Sequence, residues 1–153
     1  MWIKAYARNC SILMLLIVLA LNVGCAAAKK NVGQSGSTVM TEVELQSTLM
    51  SFSDRSASIL ISALEEFDAQ GPTHEARKFV MSDISYCLSA AYTIAAQPNP
   101  QVALLDLTVI MTLGRSIYEE NIQRQYGDQI KPLIQAFKAL ETDVWRIAAQ
   151  VLD

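Results

Sequence analysis

The sequence predicts an all-α protein: an antiparallel up-down-up-down four-helix bundle preceded by a cleaved signal peptide and a flexible linker. Three observations carry this. From Thr41 onward, apolar residues recur at alternating steps of three and four, the spacing of one face of a helix. Gly71-Pro72, Gln97-Pro98-Asn99-Pro100 and Gly127 cut that pattern into four segments, each ended by residues that stop helices. The connections are only a few residues long, and short connections make consecutive helices antiparallel neighbours.

In the first segment Leu45, Leu49, Phe52, Ser56, Ile59, Ala63 and Phe67 form a continuous stripe that Gly71-Pro72 ends. Thr73 is placed to cap the second helix, with Glu75 favourably set in its first turn. Its stripe is Ala76, Phe79, Val80, Ile84, Cys87, Ala91 and Ile94. Asn99 caps the third, and Pro100 takes the first helical position, where a missing N–H costs nothing. That helix runs to about Tyr126 and contains Val102 to Leu113, VALLDLTVIMTL, which is apolar on every side. Such a helix is expected to be surrounded by other helices, since a bilayer-spanning helix needs about 20 apolar residues and Asp106 interrupts this run. A fourth helix begins near Asp128, tolerates Pro132 in its first turn, and buries Leu133, Phe137, Leu140, Val144, Ile147 and Val151. Ser- and Ala-rich stretches, Ser56 to Phe67 and Tyr86 to Ala96, would let helices approach closely.

The chain's 153 residues are one domain's worth, and its 52% hydrophobic content is inflated by the first 28 residues. Residues 1 to 11 carry Lys4 and Arg8 and no acid, and Ile12 to Leu21 is an uninterrupted apolar run of ten, the length of a signal-peptide core. The segment Leu21-Asn22-Val23-Gly24-Cys25-Ala26 that follows resembles the lipobox of bacterial lipoproteins. Asn22 stands where that family usually has leucine, with Leu21 displaced by one. The resemblance covers the first 26 residues. It implies cleavage before Cys25, diacylglycerol on its sulfur, acylation of its new amino group, and a cell-envelope location facing the periplasm or another extracytoplasmic side. By the same resemblance, Ala26 is compatible with sorting to the outer membrane. Ala26-Ala27-Ala28 leaves general signal cleavage after Ala28 open, and an uncut anchor is a further alternative.

The expected organisation is therefore residues 1–24 as signal peptide, 25–40 as lipid attachment site and linker, and 41–153 as bundle. The residues from Ala26 to Thr38 are mainly small and polar, and a flexible chain of about a dozen such residues reaches ~20 Å. Without Lys4 and Arg8 the chain keeps ten basic against fifteen acidic residues. That balance gives no basic footprint for nucleic acid.

Chemistry leaves few candidates. The single histidine, His74, falls at a helix start and excludes the paired Glu-x-x-His sites of metal-binding bundles. No phosphate loop, nucleophile elbow or metal-ligand spacing occurs, so no catalytic, metal or cofactor site is expected. Cys87 lies on an apolar face and reads as a small hydrophobe. Glu120 and Arg124 have the spacing of a surface ion pair, and Tyr118 and Trp145 read as packing residues. Arg55, Asp83, Asp106 and Arg115 sit among apolar neighbours, and buried charges need partners. Hairpin geometry puts Asp83 level with Arg115 and Arg55 within a turn of them, so a polar layer across the bundle is expected. Its expected role is to fix register.

The functional expectation is a lipid-anchored envelope protein acting through a protein partner or self-association. The alternative is a carrier of an apolar ligand in the bundle interior, suggested by Ala90, Ala91, Ala95 and Ala96 opposite the bulky third helix. An enzyme using Asp83 or Asp106 ranks third.

Overall fold

The computed structural model describes residues 40–152. Cys25 and the leader, linker and lipobox expectations lie outside the described residues. The chain is all-α, with no strand among the described residues. Its long helices are α1 (Glu42–Ala69), α2 (His74–Ala95), α3 (Pro100–Ile117) and α4 (Lys131–Leu152).

Each helix start has the chemistry its sequence offers. Thr41 and Glu44 form a reciprocal capping box: the Thr41 hydroxyl accepts from the Glu44 N–H at 3.2 Å, and the Glu44 carboxylate accepts from the Thr41 N–H at 2.8 Å. The Thr73 hydroxyl accepts from the Ala76 N–H, and Asn99 accepts from both Gln101 and Val102 N–H groups ahead of Pro100. Gly71 and Gly127, both at positive φ, allow the chain to leave α1 and to turn toward α4.

The core follows the sequence stripes with small departures. Leu60 rather than Ile59 is buried in the middle of α1, and Phe79 is only half-buried. The most extensive helix interface joins α3 to α4, followed by those of α1 with α4 and α1 with α2. The expectation that α3 is covered on every side is corrected: Leu105 is 62% exposed and Val109 40%. These two residues lie on the side of the helix facing away from buried Ala103, Leu107 and Met111. Trp145, expected to pack, is also exposed.

Between α3 and α4 the backbone departs from a plain α-helix. Tyr118–Ile122 forms a π-helical turn in which the Gln123 N–H donates to the Tyr118 carbonyl, five residues back. One α-helical turn, Gln123–Tyr126, and a 3-10 turn, Gly127–Ile130, then lead into α4. The wider π turn takes Arg124 out of α-helical register with Glu120, and among the described residues these two form no ion pair. Glu120 instead accepts a hydrogen bond from Ser116 at 3.1 Å.

The α3–α4 interface is tight at Gly114. A Cβ there would sit 2.7 and 2.9 Å from two ring carbons of Phe137. That ring is fully buried and lies 4.9 Å, centroid to centroid, from Tyr118. It has little freedom to swing aside. Gly114→Ala should therefore destabilise the domain, because overpacking a well-filled core costs about 1–3 kcal/mol against a helix-propensity gain of at most about 1 kcal/mol. Denaturant unfolding checks this through a lower midpoint, whereas an unchanged or raised midpoint would show that the ring yields.

Candidate functional site

The polar side chains singled out by the sequence take separate partners. Asp83, on α2, accepts a hydrogen bond from the Tyr118 hydroxyl at 2.8 Å across to the π turn. Arg115 lies one turn before Tyr118 on α3 and points elsewhere. Its Nη1 donates to Glu119 at 2.7 Å, and its Nε lies 2.5 Å from a Glu141 oxygen on α4, a contact of charges outside hydrogen-bond alignment. Lys138 adds a fourth charge, 2.9 Å from Glu119. Arg55 is exposed and 4.0 Å from Asp143, which also pairs with Arg146 at 2.6 Å. Asp106, buried on α3, accepts from Gln97 just beyond the end of α2 at 3.5 Å.

The expected single polar layer of Arg55, Asp83, Asp106 and Arg115 is thus corrected. Height along the helices does not fix direction around them. Arg115 projects from the flank of α3 that faces α4, while Asp83 projects toward Tyr118 from α2. Tyr118 was the polar partner that sequence reasoning missed. Its spacing identified it as a packing residue, which it also is, but nothing in the pattern signalled that its hydroxyl would end beside a carboxylate.

The electrostatics at Asp83 follow from that placement. Burial raises its carboxyl above the ordinary value, and the hydrogen bond from Tyr118 partly opposes the shift. Burial, with the nearby Asp83 charge adding to it, pushes the Cys87 thiol up. A thiol held protonated is a poor nucleophile, and Cys87 is buried. Burial also raises Asp106, against the Gln97 hydrogen bond. Glu119 is lowered, first by its hydrogen bond from Lys138 and then by the Lys138 and Arg115 charges. No set of three or more His, Cys, Asp and Glu residues among the described residues is arranged to hold a metal ion. The arrangement stabilises charge between helices.

An open groove of about 810 Å³ lies between α1 and α4. Apolar Ile59, Ala63, Pro132, Ala136 and Ala139 share its lining with polar Ser62, Glu66, Gln70, Asp128, Lys131 and Gln135. Lys131 is engaged by Asp128 at 2.9 Å. The alanines proposed to line an interior site do not act together: Ala91 and Ala95 are buried, Ala90 is half-buried and Ala96 is exposed. Among the described residues no helix is long and apolar enough to cross a membrane. Compared with protein families, with curated proteins and with solved structures, the chain finds no match.

A pH prediction follows for Asp83. A carboxyl whose value is raised in the folded state contributes stability that is fully present below the ordinary Asp value and is lost as pH rises through the raised one. Asp83→Asn keeps an acceptor for Tyr118 and removes the ionisation. The stability of this variant relative to the unaltered protein should rise steadily from acid toward neutral pH. Chemical denaturation across that range measures it. A relative stability that falls with rising pH would show that the ionised carboxylate is favoured in place.

Proposed function

We propose that the chain is a lipid-anchored protein of the bacterial cell envelope, tethered through Cys25, whose helical domain works by contact rather than by catalysis. The observation that carries the reading is the apolar ten-mer Ile12 to Leu21 closing on Val23-Gly24-Cys25, after a start bearing Lys4 and Arg8. The domain faces the periplasm or another extracytoplasmic side, with the outer membrane as one destination.

In this reading the helices form an antiparallel up-down-up-down bundle. Support comes from the short connections and from contacts that match opposite ends of neighbouring helices. Gln46, near the start of α1, donates to the carbonyl of Ala95 at the end of α2, while Asp68 near the end of α1 pairs with Arg77 near the start of α2 at 2.8 Å. The groove between α1 and α4 is open and half polar, which gives a carrier of apolar ligands no enclosed apolar site there.

The mature membrane-bound protein should begin at Cys25 and carry diacylglycerol and an amide-linked acyl chain, and Cys25→Ser should release it from the membrane fraction or leave its leader uncut. Intact-mass measurement of the membrane fraction decides this. A soluble mature chain beginning at Lys29 contradicts it.

A further inference from the structure

The seam between α1 and α2 carries an apolar outer face. At 100° per residue, Val43, Met50, Ile61 and Leu64 fall within about 60° of one another on α1. That sector also contains Gln46 and Asp68, the two residues whose contacts reach α2. On α2, Met81, Leu88 and Tyr92 share a sector of about 60° with Arg77 and Ala95, the partners of those contacts. The two sectors therefore border the same seam, and each carries exposed apolar side chains. Val43 is 80% exposed, Tyr92 57%, and Ile61 and Met81 48% each. Met50, Leu64 and Leu88 are half-buried beneath them. Between Gln46 and Asp68, about 33 Å of helix at 1.5 Å per residue, neither sector contains a charged residue.

We propose that this face rests on the surface of the lipid bilayer to which the chain is tethered; the inference depends on the lipid anchor at Cys25. Isolated exposed apolar residues are ordinary, whereas four of them grouped along one helix seam mark an interaction surface. The tether selects lipid as the occupant. Val43, at one end of the face, is two residues from Thr41, and only 15 residues separate Thr41 from Cys25. Fully extended, those residues span at most about 55 Å, little more than the ~42 Å length of α1 itself. Holding the face so close to the membrane gives it a high effective concentration there, so modest apolar contact suffices. The uncharged sector and the excess of acid elsewhere fit neutral or zwitterionic headgroups, with no requirement for anionic lipid.

The test uses the full acylated protein in phosphatidylcholine vesicles that contain phosphatidylcholine spin-labelled on the upper acyl chain. The reporter variant is Tyr92→Trp with Trp145→Phe; both sites are exposed. The indole at position 92 should lose most of its emission to the lipid label. In the unaltered protein Trp145, on α4, should keep its emission. Adding Ile61→Asp and Met81→Asp to the reporter should restore emission while the protein still floats with the vesicles. Flotation with an unquenched indole at 92 overturns the orientation and leaves the anchor standing, as does crosslinking of two copies through this face. Equal quenching of Trp145 also overturns it. Failure to float, with no acyl mass on Cys25, removes the anchor and the inference with it.

Discussion

The contact on which most of the fold depends is the close approach of α3 to α4 at Gly114. Because that residue has no Cβ, the Phe137 ring can lie directly on the α3 backbone. Phe137 in turn packs on Tyr118, and Tyr118 reaches Asp83 on α2. One missing side chain thus lets a single stack of rings join three helices. Tyr118 opens the π turn, so the irregular winding begins at the point where this stack fixes the backbone. A π turn costs regular hydrogen bonding and is retained where a side chain must be re-aimed. Here it follows the residue whose ring and hydroxyl are both engaged.

Around that stack the ionisable groups are satisfied in small local sets. The Arg115, Glu119, Lys138 and Glu141 cluster ties α3 to α4 at the half-exposed edge of the interface. Water screens such pairs, and each contributes little on its own, about 0–1 kcal/mol. Apolar packing beneath them carries more of the interface. Asp83 and Asp106 are the costlier groups, since each is withdrawn from water and partnered by a neutral side chain rather than by a cation. Two such carboxylates make the stability of the domain sensitive to pH.

The sequence made the helices legible because capping residues and breakers act locally. Thr73, Asn99 and Pro100 do in the fold what their chemistry dictates, and the stripe of α4 is buried from Leu133 to Ile147, with Val151 half-buried. What could not be read was direction around the helix axis. Asp83 and Arg115 were expected at one height, yet such residues meet only when both face the same interface. The π turn was invisible for a related reason: its sequence, YEENI, is compatible with an α-helix, and Tyr118 at its start is engaged by Phe137 and Asp83, which are distant in the chain. Leu105 and Val109 show the limit of an apolar count. A helix that is apolar all round is predicted to be covered all round, but three neighbouring helices bury only part of its circumference.

The central claim is that Tyr118, rather than Arg115, is the partner that holds Asp83 in place. A double-mutant cycle on unfolding free energy tests this directly, with Asp83→Leu and Tyr118→Phe as one pair and Asp83→Leu with Arg115→Met as the other. Groups in contact couple by about 0.5–3 kcal/mol, whereas separate groups add to within ~0.3–0.5 kcal/mol. Coupling in the first cycle and additivity in the second is the expected result. Strong coupling of Asp83 to Arg115, with Tyr118 additive, would contradict it and restore a charge layer between α2 and α3.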